Sequence, residues 1–307
     1  MKELVVISGK GGTGKTSIVA SLAVLAEPVI TVDCDVDAAD LHLLLTPEIR
    51  HRESFRGGGK ARIDADRCIG CGQCMSLCRF GAIGRQESVN GTRWSTLQVK
   101  PLLCEGCGVC SYFCQEKAID FSPVVCGQWF HSETRCGPMV HAQLGVGAEN
   151  SGKMVTEIRT SAKQLAMRKG LDLIISDGSP GIGCPVIASL TGCSLALFVV
   201  EPTVSGLHDF QRIAQLAQKL GVPGVLAINK ADLNESVTIE LQQTAHQMNI
   251  TPIGRIPYDP EITQAQRSSK SVVEVSCGPA AVAIGNLWLQ LKKRLLTCDA
   301  TIAEGLL

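Results

Sequence analysis

Two groups of cysteines carry the most specific chemistry in this sequence. Eight of the 15 cysteines form two copies of the pattern Cys-x2-Cys-x2-Cys-x3-Cys. The first copy contains Cys68, Cys71, Cys74 and Cys78, and the second contains Cys104, Cys107, Cys110 and Cys114. Zinc sites use pairs of cysteines rather than a triplet followed by a single residue. With this spacing, three thiolates bind one [4Fe–4S] cluster and the fourth binds its neighbour, so we expect two such clusters.

The expected ligands of each cluster follow because the fourth cysteine of each run binds the cluster held by the other run. Cluster 1 takes Cys68, Cys71, Cys74 and Cys114, and cluster 2 takes Cys78, Cys104, Cys107 and Cys110. Ile83 and Ile119 follow the two runs at equivalent places, as expected of a duplicated half-domain. The pattern resembles that of bacterial ferredoxins, although Arg79 and Gln115 replace the proline that usually follows the fourth cysteine. The resemblance implies an α+β ferredoxin domain with altered potentials, and the interval from Arg79 to Leu103 has room for an extra hairpin.

A second site is predicted near the N-terminus, where an apolar strand leads into a glycine-rich loop. The loop has the Gly-x4-Gly-Lys-Thr form, whose backbone N–H groups curl around phosphates at the start of a helix. Lys15 is expected to bind the β- and γ-phosphates, and the Thr16 hydroxyl to bind Mg²⁺. The predicted nucleotide-binding residues of this loop are Gly9, Lys10, Gly11, Gly12, Thr13, Gly14, Lys15, Thr16 and Ser17.

The additional lysine, Lys10, makes the loop resemble the deviant Walker A motif of the MinD/ParA/nitrogenase-iron-protein group of ATPases. In that group the first lysine of the motif crosses a dimer interface to the phosphates bound by the opposite subunit. The resemblance implies that ATP lies between two subunits and that Lys10 and Lys15 are catalytic. The partner subunit would be an identical copy or a paralogous ATPase.

Acidic residues at two strand ends fit the same group. One apolar strand ends at Asp33, followed by Asp35 and Asp37 in the position of the first switch, and a second leads to Asp177 in the Walker B position. By resemblance, Asp35 orients the attacking water and binds Mg²⁺ together with Thr16 and Asp177. Asp33 and Asp37 would support the Mg²⁺ shell. Together with the phosphate loop, these carboxylates are consistent with a metal–triphosphate site.

Two segments bear on recognition of the base. Asn229-Lys230-Ala231-Asp232 has the Asn-Lys-x-Asp form with which GTPases read guanine. In the MinD-like group, however, an Asn at this strand end contacts adenine. The segment that contains Pro257 and Tyr258 resembles the one that packs beside the base. ATP is therefore favoured, and GTP stays open.

Strands alternate with helices along most of the chain. The predicted strands are Leu4–Ser8, Val29–Asp33, Leu171–Ser176, Leu195–Val200, Val225–Asn229 and Ile253–Ile256. The predicted helices are Lys15–Ala26, Asp37–Leu45, Lys153–Lys169, Gly206–Leu220, Ser236–Met248 and Pro279–Leu296. This alternation predicts an α/β, doubly wound, mostly parallel sheet. We expect a P-loop ATPase domain of residues 1–50 and 123–307, interrupted by a ferredoxin-like domain of residues 51–122.

Composition and charge narrow the classes of function. The chain has 29 basic and 29 acidic residues, so charge gives no reason to expect a nucleic-acid partner. Its apolar runs are far shorter than the roughly 18 residues that span a bilayer. The last predicted helix has an apolar face beside lysines, but we expect no stable membrane anchoring. A chain that opens with a strand rather than a signal peptide, and whose thiols must stay reduced, indicates a cytoplasmic protein.

Cys184 lies shortly after Asp177 and has two interpretations. The nitrogenase iron protein has a cluster cysteine at a matching spacing, where two subunits share one cluster. Cys136 is only an approximate counterpart of the second cysteine that such a site uses. We favour a buried thiol that acts as a small apolar side chain, and the resemblance leaves Cys184 as a candidate bridging ligand.

Nearly the whole chain resembles MinD-superfamily ATPases with an inserted ferredoxin domain. The expected cofactors are ATP, Mg²⁺ and two [4Fe–4S] clusters. We favour an ATPase that couples nucleotide-driven dimer switching to electron transfer through the clusters, towards a redox or metalloprotein client. An ATPase that assembles or carries a metal cluster for a client protein is the alternative. A MinD-like positioning ATPase with redox-sensing clusters is the weakest hypothesis, because few features of the sequence indicate binding to a membrane or to DNA.

Overall fold

The computed structural model describes residues 1–85, 97–145 and 151–297. The strands in these ranges are β1 (Lys2–Ile7), β2 (Ile30–Asp33), β3 (Glu48–Ile63), β4 (Ile83–Arg85), β5 (Leu97–Val99), β6 (Ile119–Thr134), β7 (Gly137–Leu144), β8 (Leu173–Asp177), β9 (Leu195–Val200), β10 (Gly224–Asn229) and β11 (Thr251–Ile256). The α-helices are α1 (Lys15–Ala26), α2 (Leu41–Leu45), α3 (Gln73–Leu77), α4 (Val109–Tyr112), α5 (Ser151–Lys169), α6 (Cys184–Leu190), α7 (Val204–Lys219), α8 (Glu235–Gln247), α9 (Pro260–Arg267), α10 (Val272–Val275) and α11 (Pro279–Thr297). Among the described residues, no helix combines the length and apolar character needed to cross a bilayer.

Nine strands form one sheet in the order β11-β10-β9-β1-β8-β2-β7-β6-β3. The pairs from β11 to β7 are all parallel. Strands that are consecutive in the chain, such as β1 and β2, are separated in the sheet and joined through helices, as in doubly wound folds. The prediction of a mostly parallel α/β sheet is confirmed.

Both faces of the sheet are covered, and β1 shows why. Leu4 and Val6 belong to the apolar core that contains residues of α1 and α11, whereas Val5 and Ile7 belong to the core that contains residues of α7 and α8. Successive side chains of a strand point to opposite faces, so an uninterrupted apolar strand supplies both cores. All four side chains are fully buried, which makes the end of β1 a fixed platform for the loop that follows.

The predicted bounds of α1 and β9 match the structure, and most others differ by two residues or fewer. The helix predicted for Asp37–Leu45 instead begins at Leu41. The carboxylate of Asp33 accepts hydrogen bonds from the N–H groups of Asp35 and Leu41, which holds the intervening residues outside a helix. The sequence does not predict the short helices α6, α9 and α10, because none is long enough to show a clear helical period.

The sheet also contains β3 and β6, two strands of 16 residues that the sequence does not predict. The buried residues of β3 alternate, but they are Phe55, Gly57, Gly59 and Ala61. Glycine is depleted in strands, so this alternation does not indicate an apolar face. Gly59 is required because a Cβ there would overlap the ring of Phe121 in β6. The sequence pattern therefore gives no sign of a long strand at this place.

The chain divides into two compact units. The first comprises Met1–Glu53, Trp129–Gln143 and the chain from Ser151, and the second comprises Ser54–Gln128 with a short segment that starts at Leu144. In the second unit, β4 and β5 pair antiparallel in the interval between the two cysteine runs. Residues 86–96, which connect them, lie outside the described ranges.

The second unit is internally duplicated. Gly72 precedes α3 and Gly108 precedes α4, with φ of 80° and 75° respectively. The same buried residue types recur at equivalent positions in the two halves, Ala82 with Ala118 and Ile83 with Ile119. We call the half around α3 the first repeat and the half around α4 the second repeat.

Candidate functional site

The candidate nucleotide site forms where five neighbouring parallel strands end. β1, β2, β8, β9 and β10 lead into Ser8, Asp33, Asp177, Glu201 and Asn229. Ligands of open parallel sheets bind outside the carboxyl ends of the strands. Asp177 is in register with Val6 on one side and with Asp33 on the other. β8 therefore places Asp177 between the glycine-rich loop and the acidic segment.

The glycine-rich loop has a backbone conformation that requires glycine at two positions. Gly12 and Gly14 have φ of 79° and 82°, in the left-handed region that other residues rarely adopt. A Cβ on Gly14 would also collide with the side-chain amide of Asn229. That amide donates to the Thr13 carbonyl at 2.7 Å, so β10 holds the loop in place. α1 begins directly afterwards at Lys15, and its N-terminus favours bound anions.

Lys15 and Asp177 form a buried ion pair beside the loop. Burial alone would lower the pKa of Lys15, but the negative charges of Asp177, Asp33 and Asp35 raise it, so the ammonium group stays protonated. Buried polar atoms are seldom left unpaired in proteins. Three side-chain atoms here are buried without a hydrogen-bond partner among the described residues: Thr13 Oγ1, Asp177 Oδ2 and Asn229 Oδ1. A hydroxyl, a carboxylate oxygen and an amide oxygen fit a phosphate, a magnesium ion and a base amino group.

The acidic segment after β2 contains carboxylates with different surroundings. Asp33 is fully buried, and its two oxygens accept N–H groups of Asp35 and Leu41 at 3.1 Å each. Burial and then the charge of Asp177 raise the pKa of Asp33 well above its ordinary value. Burial raises the pKa of Asp35 to about 6, although Lys15 opposes the shift. Asp33 thus shapes the segment, while Asp35 is only partly buried and Asp37 is exposed.

The segment after Asp177 is tied to β1 and to the acidic segment. The Gly178 N–H donates to the Val6 carbonyl at 2.8 Å, and the Gly181 N–H donates to the Ser8 carbonyl at 3.0 Å. The Ser179 hydroxyl donates to the Cys34 carbonyl at 2.5 Å. The segment after Asp177 therefore connects the end of β1, from which the glycine-rich loop starts, to the acidic segment after β2.

Lys10 lies against the connection between β9 and α7 of its own chain. Its ammonium donates to Thr203 Oγ1 and Ser205 Oγ, each at 3.3 Å, and lies 3.7 Å from Glu201 Oε2. Glu201 also pairs with Lys230 at 2.5 Å. The sequence did not single out Glu201 as a site residue, although its position directly after a parallel strand is the signal that could have identified it.

The residues predicted to contact the base lie at the end of β10 and in the segment that follows β11. Tyr258 is more than half exposed, and its N–H donates to Asp232 at 2.6 Å. Asp232 is the residue that would read guanine in the Asn-Lys-x-Asp form, and this bond engages it within the protein. Pro257 precedes Tyr258, and Gln266 of α9 donates to the Ser17 hydroxyl at 2.7 Å. No sequence motif indicates Gln266.

Cys184 is the first residue of α6 and is exposed, so its interpretation as a buried apolar side chain is wrong. Cys136 is buried, and burial raises the pKa of its thiol to about 11. Because Cys136 lies among the buried apolar residues of the core, it does not suit the role of second ligand to a cluster shared between two subunits.

The eight motif cysteines surround two separate cavities in the second unit. One cavity is lined by Cys68, Cys71, Cys74 and Cys114. The other is lined by Cys78, Cys104, Cys107 and Cys110. Each cavity thus collects three thiols of one run and the fourth thiol of the other run. Most of the remaining lining is apolar, including Ile63 and Leu97 in the first cavity and Phe80 and Phe121 in the second.

Backbone N–H groups donate to the fourth thiol of each run. The Ala82 N–H lies 3.3 Å from Cys78 Sγ, and the Ala118 N–H lies 3.3 Å from Cys114 Sγ. Hydrogen bonds to the sulfur ligands are one of the factors that set the potential of an iron–sulfur cluster. Within residues 1–85, 97–145 and 151–297, no three His, Cys, Asp or Glu side chains form a group that could hold a single metal ion. A [4Fe–4S] cluster needs a different arrangement of ligands from a single ion, because each thiolate binds a different iron and the four sulfurs surround the cluster.

Comparison with known proteins identifies the nucleotide-binding fold. The model of the CobQ/CobB/MinD/ParA nucleotide binding domain matches residues 4–272. The uncharacterised protein MJ0578 of Methanocaldococcus jannaschii is 34% identical over 242 residues, which are 76% of this chain and 79% of that protein. The uncharacterised ATP-binding protein MJ0547 of the same organism is 22% identical over 92% of this chain and 84% of its own length. The septum site-determining protein MinD of Pyrococcus horikoshii, solved with Mg-ADP, has a TM-score of 0.58 at 17% identity and covers 95% of this chain and 96% of its own. Because the family model spans most of the chain, this protein belongs to the CobQ/CobB/MinD/ParA family of nucleotide-binding proteins.

Proposed function

We propose that this MinD/ParA-like, ATP-binding protein hydrolyses ATP as a dimer and that its nucleotide state controls electron transfer through two [4Fe–4S] clusters. One observation carries the electron-transfer part of the proposal. The eight cysteines divide between two cavities in the crossed grouping that two adjacent clusters need. If each cavity were lined by cysteines that are close together in the chain, all four cysteines of one run would line the same cavity.

The chemistry proposed at the nucleotide site uses the strand-end residues. Lys15 and the loop N–H groups would hold the phosphates, while Thr16, Asp35 and Asp177 would hold Mg²⁺. The buried, unpartnered Oδ2 of Asp177 supports a cation at this place. Asp35 would orient the attacking water. Asn229, Pro257 and Tyr258 would contact adenine, and the engagement of Asp232 favours ATP over GTP.

The residues around the cysteine cavities fit resident clusters. Apolar walls would exclude water, and the two N–H donors to sulfur would tune the potentials of the clusters. Cys71 and Cys107 are exposed, so each proposed cluster would have one ligand near the surface. Bound clusters would supply one-electron redox chemistry.

The proposal is tested by EPR spectra and redox potentials of anaerobically purified protein, with and without Mg·ATP. Coupled function predicts two cluster signals, at least one of which changes in shape or potential with the nucleotide. Two cluster signals that ignore Mg·ATP would contradict the coupling. Protein that cannot be loaded with about eight irons per chain would contradict the clusters themselves.

Lys10→Ala tests the role of Lys10 across a dimer. We expect ATP binding to a single chain to be kept, since Lys10 contacts Thr203, Ser205 and Glu201 rather than the loop. Hydrolysis per chain should fall by about a hundredfold, because one charged donor to the transition state is lost. Both are measured by equilibrium nucleotide binding and by phosphate release over a range of protein concentrations. Equal hydrolysis by the variant and the wild type would rule the crossing role out.

Asp35→Asn tests whether the raised pKa of Asp35 makes the stability of the nucleotide-free protein depend on pH. Because the pKa of Asp35 is about 6 in the folded protein, against roughly 3.9 for an ordinary Asp, the folded state binds more protons between these values. Ionised Asp35 therefore destabilises the fold above about pH 6, and that cost fades as the pH falls towards 4. Asp35→Asn should be more stable than the wild type at about pH 7.5 and lose much of this advantage at about pH 5.

Urea unfolding of nucleotide-free, metal-free protein measures this difference. Asp37→Asn is the matched control, because Asp37 is exposed on the same segment and should give little change at either pH. An advantage of Asp35→Asn that is equally large at both pH values would contradict the ionisation argument.

The alternative function is that of an ATPase which assembles or carries a metal cluster for a client protein. The observation that favours it is the exposure of Cys184 directly after the proposed second switch. A carrier would pass labelled iron to a cysteine-containing apoprotein in an ATP-dependent manner, and Cys184→Ser would abolish the transfer. Unimpaired transfer by that variant would leave no role for Cys184 in delivery.

Partners and location follow from the proposal rather than from a contact in the structure. The second subunit would be a copy of this chain or a paralogous ATPase, and the client a redox protein or metalloprotein. Reduced thiols suit the cytoplasm. A MinD-like positioning ATPase with redox sensing would use the same nucleotide site. That function does not require a partner to which the two clusters would pass electrons, so it does not account for the crossed arrangement of the cysteines.

A further inference from the structure

The two cysteine cavities of the second unit match in several features that set the potential of a bound cluster. One backbone N–H donates to the fourth cysteine of each run, at 3.3 Å in both cases. Each cavity is lined by one exposed cysteine, Cys71 in the first and Cys107 in the second. Each is also lined by one exposed carboxylate, Glu116 in the first and Glu105 in the second. Hydrogen bonds to sulfur, charge and solvent exposure set cluster potentials, so these features alone would give two similar clusters.

A half-buried lysine distinguishes the second cavity from the first. The ammonium group of Lys60 donates to the main-chain carbonyl of Cys104, one of the four cysteines that line the second cavity. The next residue of β3, Ala61, is buried and lines the same cavity. A Cβ on Gly106 would lie 2.5 Å from the Gly59 carbonyl oxygen, so β3 and the second cysteine run are in close contact. Lys60 is therefore held beside the second cavity by packing on both sides of it in the chain.

The basic side chains near the first cavity have different surroundings. Arg67 pairs with Asp64 and Asp120, so two carboxylates offset its charge. Arg85 lies beside the first cysteine run but is exposed. In contrast, Lys60 forms no ion pair with a carboxylate in residues 1–85, 97–145 and 151–297. Exposed charges are largely screened by water and salt, whereas partly buried charges are screened much less. The charge of Lys60 is therefore the one that acts most strongly on its cavity.

We propose that Lys60 raises the potential of the cluster in the second cavity above that of the cluster in the first, so that the first electron taken up from a one-electron donor resides in the second cavity. The inference rests on the proposed function and names a residue that decides where the electron goes. Reduction by such a donor adds one negative charge to a cluster, and a nearby ammonium group stabilises that charge. Lys60 is a positioning residue for the electron, because it contacts the main chain of Cys104 rather than iron or sulfur.

The test measures redox potentials of full-length, anaerobically purified protein by titration with dithionite, followed by EPR. The test variant is Lys60→Gln, because a neutral amide can still donate to a carbonyl. Lys60→Arg is the conservative variant that keeps the positive charge. The matched control is Arg62→Gln, which removes an exposed positive charge from the same face of β3.

Each of these variants is also made in two backgrounds that assign the signals. Cys71→Ser is expected to keep only the cluster of the second cavity, and Cys107→Ser only that of the first. Each background therefore reports the potential of one cluster without interference from the other.

In the Cys71→Ser background, Lys60→Gln should lower the ratio of reduced to oxidised cluster at a fixed potential by about tenfold. For a one-electron couple this ratio corresponds to a downward shift of about 59 mV. Lys60→Arg should restore the ratio, and Arg62→Gln should change it little. In the Cys107→Ser background, Lys60→Gln should have a much smaller effect. In the wild type, the EPR signal that appears first during reduction should match the spectrum of Cys71→Ser.

Three results would overturn the proposal. They are an unchanged potential in Lys60→Gln, a shift of equal size in Arg62→Gln or in the Cys107→Ser background, and a first signal in the wild type that matches Cys107→Ser. The order of the signals is measured with Lys60 intact, so it decides the question even where Lys60→Gln does not fold.

Iron content, determined on every preparation, distinguishes failure of this inference from failure of the proposed function. Wild-type protein that cannot be loaded with iron overturns the proposed function. Loaded protein whose potentials do not respond to the charge of Lys60 overturns only the role of this residue.

Discussion

Lys15→Ala is expected to abolish nucleotide binding and turnover. The ammonium group is buried and protonated, and it is the only cation that the described residues place in contact with Asp177. Hydrolysis should fall by at least about a hundredfold, since charge stabilisation in such a site supplies factors of this size. The measurements are equilibrium binding of a fluorescent ATP analogue and release of phosphate.

The same substitution is expected to destabilise the nucleotide-free protein. It leaves the Asp177 carboxylate buried without its cation, and breaking a buried pair in this way costs about 3–5 kcal/mol. Lys15→Ala/Asp177→Asn removes both charges and should regain much of that stability while remaining unable to bind nucleotide. If the double variant recovered ATP binding, the direct role of Lys15 would be lost.

Cys114→Ser is expected to remove the same cluster as Cys71→Ser, although the two residues belong to different runs. Both line the first cavity, whereas Cys78 and Cys107 line the second. Each single variant should keep about four of about eight irons per chain. The EPR spectra of reduced protein should fall into two classes that follow the cavities. ATP should still bind, because the substitutions lie in the second unit.

Cys126→Ser provides the control for these variants. Cys126 is a buried thiol of the same unit that donates to the Gly57 carbonyl at 2.6 Å and lines neither cysteine cavity. Its replacement should keep all the iron, and a hydroxyl can maintain the donation. A shared spectrum for Cys114→Ser and Cys107→Ser would show that each cluster is held by one run, contrary to the crossed assignment.

Local motifs predicted most of the nucleotide-binding unit. The bounds of α1 follow from a strand, a glycine-rich loop and an uninterrupted apolar helix, all encoded by neighbouring residues. β9 is equally clear because it is apolar throughout and buried on both faces. The positions of Asp33, Asp177 and Asn229 follow once parallel strands are assumed, since parallel strands end at one edge.

Features that depend on distant residues were not predictable in the same way. α2 is shortened because Asp33 binds the N–H of Leu41, a contact that no helix propensity expresses. β3 was missed because its inward positions carry glycines that accommodate Phe121 of another strand. Gln266 reaches Ser17 from a helix far along the chain, and Lys10 is held by residues after β9. Such contacts belong to tertiary packing, so a single sequence contains no local sign of them.

The ion pair between Lys15 and Asp177 has a consequence for the order in which ligands bind. In the nucleotide-free protein, the cation proposed to bind phosphate and the carboxylate proposed to bind magnesium neutralise each other. Nucleotide that arrives alone withdraws Lys15 and leaves Asp177 exposed to the added negative charge of the phosphates. Metal that arrives alone competes with Lys15 for the same carboxylate. Each ligand therefore removes the obstacle to the other, and affinity for the pair exceeds the product of the separate affinities. If Lys15 and Asp177 have these proposed roles, the nucleotide-free protein responds to magnesium and nucleotide present together far more than to either one alone.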